Sequence, residues 1–421
     1  MAHKVPPSER TSKQLFDLLS GREEAEELVS EIMRLGMQTI IQKHVEEEQA
    51  DHLGRDRYER GEEHRGYRNG YYGKVFKTSA GRVPIDVPRV RDCDEPFESQ
   101  LLARLDVLER RVAQMAIEMY VRGLSTRDIE ETLVDEEGEP MLSRSSTSRL
   151  TDELYAEYEG FAERDLSGYD VVYLFVDGVY EAVRNYTNNQ AILAAWAICA
   201  DERKVLLHLE AATSESTEAW SDFFEDMRSR GLRQPLYIVS DGCNGLKAAI
   251  ARHFPHSDRG RCIVHKLRNL ANKLPRDGRK EVLSQAKGVY YAPDRETADL
   301  LAERFVEAYA GTYPSMVKCF CDDLEACLVH LKYPLGHRKY IRSTNLLERA
   351  FVEEKRRTKV IPQHVNERGA LKLVYGTLIR ASKRWQRVSM PSLVLAQLRN
   401  IRNIMRPESE QSETISFRAA A

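Results

Sequence analysis

The sequence predicts a protein built on an α/β core that is interrupted by an all-helical segment and preceded by mostly helical domains. Residues 168–265 hold short β-branched and aromatic runs separated by turn residues, in the order ββββαβαβ. Residues 266–340 and 105–160 instead follow helical periodicity. The last elements of residues 168–265 alternate between strand and helix. This alternation favours a sheet with parallel strands, so we expect an α/β architecture.

Composition and charge narrow the class of protein. The 421 residues are 42% hydrophobic and 31% charged, which is ordinary for a globular chain of two or three domains. The net charge of −3 conceals two basic stretches: 10 Lys/Arg against 5 Asp/Glu in residues 55–91, and 15 against 4 in residues 342–406. Seven scattered cysteines, no signal peptide and no long apolar run predict reduced thiols and a cytoplasmic protein without membrane contact.

Residues 1–104 are predicted to form an N-terminal dimerisation and DNA-binding region. Residues 1–14 are polar and expected to be disordered, and the capping box Ser20–Glu23 predicts a helix start. The apolar stripe of that helix needs a partner surface, either within the chain or across a dimer. A basic, Tyr-rich loop and an alternating hairpin follow, which suits phosphate contact but also fits a solvated ribbon. The candidate DNA-binding residues here are Arg57, Arg65, Arg68 and Arg89.

Residues 105–165 are predicted to form a helix-turn-helix-like DNA-binding domain. A periodic helix is followed by a turn at Gly123, a capping box at Ser125–Asp128 and a long helix from Ser143. Many three-helix units bind nothing, so DNA contact is a hypothesis at this point. Its candidate residues on the last helix are Arg144, Ser145 and Arg149.

Residues 166–265 form the first part of the predicted core. The predicted helices are 217–230 and 244–253. The predicted strands are Val171–Asp177, Glu181–Tyr186, Ala191–Cys199, Lys204–Leu209, Leu236–Ser240 and Cys262–His265. Two buried strands end on an aspartate, Asp177 and Asp241, and adjacent parallel strands would bring both side chains to one edge of the sheet.

The remainder of the chain is predicted to be helical. Residues 266–340 contain Pro punctuation and form the all-helical insertion, residues 341–406 complete the core, and residues 407–421 form a disordered tail. Helices are predicted at 343–359, 367–385 and 392–405. The first of these is basic and contains Glu348. Its candidate DNA-binding residues are Arg349, Lys355, Arg356 and Arg357.

Asp177, Asp241 and Glu348 are the candidate metal ligands. Two neighbouring carboxylates repel unless a cation lies between them, and hard oxygen ligands favour Mg²⁺. Glu348 would complete a two-metal site, although a Glu in a basic helix is often only an ion-pair partner. Two Mg²⁺ ions about 4 Å apart, for which Mn²⁺ can substitute, suit phosphodiester chemistry. One would activate water or a DNA 3′-hydroxyl, and the other would stabilise the leaving 3′ oxygen.

The chain resembles the bacterial insertion-sequence transposases of the IS256/Mutator type over about residues 20–405. The motifs that carry the resemblance are Phe175-Val-Asp177-Gly, Val239-Ser-Asp241-Gly-Cys-Asn-Gly245-Leu, Arg261-Cys262-Ile-Val-His265 and Ser343-Thr-Asn345-Leu-Leu-Glu348-Arg. The resemblance implies an RNase H-like core, a mixed sheet flanked by helices, with Asp177, Asp241 and Glu348 as a DDE triad. It further implies cleavage at terminal inverted repeats, strand transfer into target DNA, and dimers or larger assemblies on paired ends.

Two local features leave alternatives open. Gly260 stands where the family usually has Gln or Arg. The spacing His253-x₂-His256-x₅-Cys262-x₂-His265 could hold zinc. Cys262 and His265 alone match the family's Cys-x₂-His pair, so Cys262 more readily fits a core position and His265 a catalytic, supporting one.

The sequence therefore predicts a DNA transposase located with bacterial DNA in the cytoplasm. Its partners would be inverted-repeat and target DNA and further copies of the chain, with no small-molecule substrate. Two alternatives remain at this stage: a catalytically silent, transposase-derived DNA-binding protein, and an RNase H-like nuclease without strand transfer. A Gly-x₄-Gly-Lys-Ser/Thr loop for ATP is absent from the sequence.

Overall fold

A computed structural model describes residues 5–20, 25–59, 65–78, 81–135, 138–183, 190–358 and 366–405. The chain forms two compact units, Met1–Glu153 and Leu154–Ala421. No helix among the described residues is both long enough and apolar enough to cross a membrane.

The first unit begins with a helical layer on a β-hairpin. Helices α1 (Pro7–Ser20) and α2 (Ala25–Leu53) precede strands β1 (Tyr67–Thr78) and β2 (Gly81–Arg91), which pair antiparallel. Gln42 on α2 holds the hairpin, since its amide donates to Asp86 O at 2.7 Å and accepts from Asp86 N at 2.9 Å. The predicted hairpin is thus confirmed, and α2 covers one of its faces.

The expected disorder of residues 1–14 is wrong from Pro7 onward. Helix α1 begins at Pro7, and the Ser8 hydroxyl donates to Glu46 Oε2 on α2 at 2.6 Å. Composition alone indicated disorder because these residues are polar, whereas their order comes from contacts with residues almost forty positions away.

Three further helices complete this unit: α3 (Gln100–Val121), α4 (Thr126–Thr132) and α5 (Arg144–Glu163), the last of which crosses into the second unit. The predicted capping box of α4 is confirmed, because Ser125 Oγ accepts from Asp128 N at 3.1 Å and Asp128 Oδ2 accepts from Ser125 N at 2.8 Å. The helical order predicted for residues 105–160 is therefore present.

A five-stranded mixed sheet forms the centre of the second unit, in the order β5-β4-β3-β6-β7. Its strands are β3 (Val171–Glu181), β4 (Gln190–Cys199), β5 (Lys204–Ala212), β6 (Tyr237–Ser240) and β7 (Asp258–Arg261). Strands β3, β4 and β5 pair antiparallel, while β6 and β7 extend the sheet in parallel. The mixed α/β class predicted from the sequence is confirmed.

Helices cover both faces of the sheet. Helices α6 (Thr217–Ser229) and α7 (Asn244–His253) lie on one face, where Trp220, Phe223 and Phe224 are fully buried. Helix α15 (Glu367–Ser382) packs on the other face with Tyr375 and Leu378. Because β3 and β4 are buried on both faces, a charged residue within them needs a particular reason to be there.

One predicted strand is wrong. Residues Cys262–His265 are not a strand: β7 ends at Arg261, and helix α8 (Ile263–Ala271) begins directly after Cys262. The edge strand β7 reads Asp-Arg-Gly-Arg, so no apolar pattern marks it, while the apolar residues after it are buried at a helix start. The predicted strand Glu181–Tyr186 starts inside β3, and residues 184–186 lie outside the described residues.

The absence of a side chain at Gly260, in β7, has a steric explanation. A Cβ atom at Gly260 would lie 1.9 Å from the hydroxyl oxygen of Tyr237, which is buried on the neighbouring strand β6. A longer side chain at this position would require Tyr237 to move. The lack of a side chain at residue 260 is therefore matched to Tyr237 in this chain.

The segment after β7 is helical throughout its described residues, as predicted. It has its own core around Tyr290, Phe305 and Phe320. The helices are α8, α9 (Arg279–Tyr290), α10 (Arg295–Tyr309), α11 (Pro314–Cys321), α12 (Leu324–Leu328), a 3₁₀ turn Val329–Lys332 and α13 (Leu335–Ile341). Helices α14 (Asn345–Thr358), α15 and α16 (Ser392–Met405) follow, whereas the predicted tail 407–421 lies outside the described residues.

Candidate active site

Asp177 and Asp241 occupy equivalent positions on two neighbouring strands. Strand β3 pairs with β6 in parallel, and the last matched pair is Phe175 with Val239. Each aspartate lies two residues beyond that pair, Asp177 still within β3 and Asp241 just after β6 ends. Parallel pairing therefore delivers both carboxylates to the same edge of the sheet, as the sequence predicted.

Asp177 is a buried carboxylate with an altered pKa. Its side chain is 8% exposed, and its Oδ1 accepts a hydrogen bond from Gly178 N at 3.0 Å. Burial, and to a smaller extent the charge of Asp241, raise the pKa of Asp177 to about 7 against the opposing effect of His265. A negative charge is thus costly here in the absence of a cation.

Glu348 lies in the first turn of α14 and faces two basic residues of α8. Its Oε1 atom is 3.1 Å from His265 Nε2 and 3.6 Å from Arg268 Nη2. That oxygen is buried and receives no hydrogen bond of good geometry from any described residue. His265 also acts on the pKa of Asp177, so the histidine connects Glu348 electrostatically to the sheet edge.

Cys262 interacts with both His265 and Thr344. The thiol of Cys262 accepts from Thr344 N at 3.3 Å and from Thr344 Oγ1 at 3.4 Å. The interaction with Cys262 raises the pKa of His265 to about 9, although burial acts in the opposite direction. Burial raises the pKa of Cys262, but the hydrogen bonds with His265 and Thr344 and the charge of His265 together outweigh it, so the thiol pKa is lowered.

Among the described residues, the compact group of possible metal ligands is Cys262, His265 and Glu348, whose ligand atoms lie within 4.8 Å of one another. Asp177 and Asp241 are not in this group, so the three predicted acids are not gathered into one tight cluster. His253 is also outside it, because its Nε2 lies 2.6 Å from Ser221 Oγ on α6. The four-residue zinc spacing of the sequence is therefore not assembled as a single group.

Glu215 is a fourth acid near this edge, and the sequence analysis did not single it out. It lies between β5 and α6, and a Cβ atom at Gly178 would be 2.4 Å from Glu215 Oε1. Burial raises the pKa of Glu215, and the charge of Asp241 raises it further, while a hydrogen bond with Tyr180 lowers it. In the sequence, Gly178 indicates that space is limited next to Asp177, but it does not indicate that Glu215 fills this space.

Two of the candidate DNA-binding residues of the first unit, Arg57 and Arg89, lie beside tyrosines. Arg89 is exposed, and its guanidinium carbon lies 5.0 Å from the centre of the Tyr72 ring. Arg57 donates to Tyr71 Oη at 3.2 Å, and Arg65 is exposed. Arg68 instead donates to the carbonyl of Arg55 at 2.9 Å, so this guanidinium supports the loop before the hairpin.

The candidate DNA-binding residues on α5 and α14 are mostly exposed but engaged. Arg144 Nε donates to Glu130 Oε2 at 2.6 Å, and Arg149 Nε donates to the carbonyl of Ser145 at 3.4 Å. On α14, Lys355 contacts Glu181 at 2.8 Å. Arg356 and Arg357 both contact Glu353, and Arg349 is exposed.

The three candidate acids have the donor chemistry that divalent ions prefer, although they are not gathered into one cluster. Asp177, Asp241 and Glu348 offer hard carboxylate oxygens, which Mg²⁺ and Mn²⁺ prefer. The buried Glu348 Oε1, without a well-directed hydrogen bond from the described residues, has capacity for another positive partner. A cation would also remove the repulsion that raises the pKa of Asp177.

Comparison with known proteins identifies the family. Residues 10–388 match the family model for the transposases of the Mutator family. The chain is 33% identical over 355 residues to the transposase for insertion sequence element ISRM5 of Rhizobium meliloti (strain 1021), covering 84% of this chain and 88% of that protein. It is 29% identical over 351 residues to the transposase for insertion sequence element IS256 in transposon Tn4001 of Staphylococcus aureus, covering 82% and 89%. This chain therefore belongs to the Mutator family of insertion-sequence transposases.

Proposed function

We propose that this transposase cleaves DNA at the terminal inverted repeats of an insertion sequence and transfers the freed strand to target DNA. Asp177, Asp241 and Glu348 would hold two divalent ions, Mg²⁺ in the cell, with Mn²⁺ able to replace it. The observation that carries the proposal is the parallel register of β3 and β6, which puts two aspartates on one sheet edge. The core would then be RNase H-like, with the helices from α8 to α13 as its insertion.

The roles of the three acids follow from their supports. Asp177 is fixed in a buried strand, and Asp241 is held by the backbone, since its Oδ1 accepts from Cys243 N at 2.8 Å. When bound, the ions would activate the attacking oxygen and stabilise the leaving 3′ oxygen. Glu348 lies on a helix and would exchange contacts with His265 and Arg268 for the metal. His265 would hold Glu348 in place before the exchange.

DNA binding would use both units. The hairpin β1–β2 and the preceding loop present Arg beside Tyr, a combination that suits phosphate and sugar contact. Helix α5 would present Arg149 to DNA, and α14 would present Arg349 next to the acids. Two or more copies of the chain would act on paired ends, with the apolar residues exposed on α1 and α2 as candidates for the contact between them.

The test is cleavage of labelled element ends in Mg²⁺ by the full chain and by Asp177→Asn, Asp241→Asn and Glu348→Gln. Each change should lower the cleavage rate by on the order of 10³-fold or more, because metal-assisted stabilisation contributes several kcal/mol. Asp222→Asn, at an exposed position of α6, is the matched control and should cleave normally.

Two results would replace the proposal. Specific binding of inverted repeats without nicking in Mg²⁺ or Mn²⁺ would indicate a silent DNA-binding protein. Hydrolysis of ends that are never joined to target DNA, even when the ends are supplied pre-nicked, would indicate a nuclease.

A further inference from the structure

Asp323 lies at the junction of α11 and α12 and is surrounded by three cations. Arg259 Nη2 is 3.0 Å from its Oδ1, Arg261 Nη1 is 2.9 Å from its Oδ2, and Lys247 Nζ also contacts Oδ2. Asp323 adopts a left-handed backbone conformation with φ of 60°. Burial raises the pKa of Asp323, but the hydrogen bond from Lys247 and the charges of both arginines outweigh it and bring the pKa to about 2.

Arg261 connects this cluster to the turn that carries Asp241. The guanidinium is nearly buried, at 8% exposure, and Nη1 also donates to the carbonyl of Gly242 at 3.3 Å. Gly242 has φ of 87°, and a Cβ atom there would lie 1.7 Å from Arg261 Nη1. The turn after Asp241 is therefore built around this guanidinium.

Lys247 connects the same carboxylate to the other side of the turn. It lies on α7, which begins at Asn244, directly after the turn. Asp323 is thus joined to β7 through Arg259 and Arg261 and to α7 through Lys247. These two elements flank the residues that orient the Asp241 carboxylate.

The main chain next to Asp323 is itself held by a lysine of α8. Lys266 on α8 is 1% exposed, and its ammonium group donates to the carbonyls of Cys319 and Asp322. A buried ammonium that is satisfied by two carbonyls sets the end of α11 against α8. The main chain of residue 323 therefore has little freedom to follow a shift of the Asp241 turn.

We propose that Asp323 is a positioning residue that acts through Arg261 to hold the Asp241 turn in its metal-binding geometry. The inference rests on the proposed function of Asp241. It makes the helical segment between β7 and α14 a structural part of the metal site. Without Asp323, Arg261 would be left buried without its anion, and Asp241, one residue from its contact at Gly242, would become an alternative partner that competes with the metal.

The experiment measures Mn²⁺ binding to the full chain without DNA, by calorimetry, alongside end cleavage and the thermal unfolding midpoint. Asp323→Asn should weaken Mn²⁺ binding by about 10–100-fold, as expected when an outer support of a metal ligand is lost. The Mn²⁺ concentration for half-maximal cleavage should rise by the same factor. Asp322→Asn is the matched control, because Asp322 is next to Asp323 in the sequence but its own side chain is exposed. This variant should bind Mn²⁺ normally.

Asp323→Glu separates position from charge. It keeps the negative charge but moves the carboxylate, so a positioning role predicts weaker Mn²⁺ binding for this variant also. Normal binding by Asp323→Glu together with weak binding by Asp323→Asn would replace the positioning role with a purely electrostatic one. If Asp323→Asn does not fold, Mn²⁺ binding by Asp323→Glu tests the positioning role by itself.

Normal Mn²⁺ binding and cleavage by folded Asp323 variants would overturn the inference. Asp241→Asn distinguishes this failure from failure of the proposed function. If Asp241→Asn loses Mn²⁺ binding while the Asp323 variants bind Mn²⁺ normally, the positioning role of Asp323 is excluded and the proposed function of Asp241 stands. Normal binding and cleavage by Asp241→Asn would remove the proposed function as well.

Discussion

Glu215 lies against the end of the strand that carries Asp177, and its backbone is packed against the start of α7. Gly178 makes room for its carboxylate, and Gly245 makes room for the backbone, since a Cβ there would lie 2.9 Å from Thr217 N. The Cys243 thiol also lies 3.8 Å from Glu215 O. The loop with Glu215 therefore adds negative charge beside both aspartates, and that charge should favour divalent ions.

We expect Glu215→Gln to weaken Mn²⁺ binding by about 10-fold while the protein remains folded. The amide can keep a hydrogen bond with Tyr180, so the change mainly removes charge near Asp241. Calorimetric titration of Mn²⁺ without DNA measures the effect. Glu225→Gln, at an exposed position of α6, should bind as the unmodified chain does. Equal affinity in all three proteins would show that Glu215 does not contribute.

Glu354 is a second buried acid, in the middle of α14. It is 0% exposed, and its pKa is raised by burial and by the neighbouring charge of Glu181. The folded state therefore retains a proton that the unfolded chain releases above its ordinary pKa of 4.5. Stability from this group is present below that value and is lost as the pH rises toward the folded-state pKa.

Glu354→Gln should consequently reduce the loss of stability between about pH 5 and pH 8, since Gln has no proton to release. The linkage slope for one proton is about 1.4 kcal/mol per pH unit at most. Thermal unfolding midpoints of both proteins across this range measure the difference. Glu307→Gln, exposed on α10, is the control. Parallel pH profiles for the unmodified chain and Glu354→Gln would contradict the assignment.

Among the structural elements, the hairpin β1–β2 combines exposed arginines and tyrosines, a pair of residue types that would suit contact with a nucleic-acid backbone. Tyr67 and Tyr72 are exposed on it, and the guanidinium groups of Arg91 and Arg89 lie 5.8 and 5.0 Å from their ring centres. The strand register places Tyr72 and Arg89 on the same face as Phe76, Ile85 and Val87, which pack against α2. Helix α2 therefore buries the apolar part of this face, while its arginines and tyrosines remain exposed.

Arg89→Ala should weaken binding to inverted-repeat DNA and to unrelated DNA by a similar factor. Loss of one phosphate contact should also reduce the slope of log K against log salt concentration by about 1. Fluorescence anisotropy at several salt concentrations measures both quantities. Arg295→Ala is the control, because that exposed arginine already contacts Asp299 and Glu325. An unchanged slope with Arg89→Ala would exclude Arg89 from phosphate contact.

The sequence predicted the elements whose pattern is local. Strands β3 and β6 were recognisable because an apolar run leads to a carboxylate in each case, Asp177 within β3 and Asp241 after β6, and α4 was recognisable from its capping box. Strand β7 was missed because its order comes from pairing with β6 rather than from apolar residues. Helix α1 was missed for a related reason, since contacts with distant residues stabilise it.

The candidate site was also predictable only where the pattern is local in the sequence. Its acids could be proposed from the sequence, whereas the partners of Glu348 on α8 depend on how two helices far apart in the chain meet. Glu215 lies in a loop without periodicity, and its proximity to Asp241 results from the fold. Asp323 is equally inconspicuous in the sequence, because its significance comes from three cations on two other elements.

For the whole molecule, the family match spans both compact units, from residue 10 to residue 388. The proposed chemistry belongs to the second unit, where the sheet edge, α14 and the helical segment each contribute to one site. In the proposed chemistry, Asp177, Asp241 and Glu348 all bind the divalent ions when DNA is bound. In the structure, Glu348 contacts His265 and Arg268.

The most direct measurement is a crystal structure of the full chain bound to inverted-repeat ends in Mn²⁺, with anomalous diffraction to locate the ions. The account predicts Mn²⁺ within coordination distance of Asp177, Asp241 and Glu348, with Glu348 released from Arg268. Mn²⁺ bound elsewhere, or bound by the two aspartates while Glu348 remains with His265 and Arg268, would contradict it.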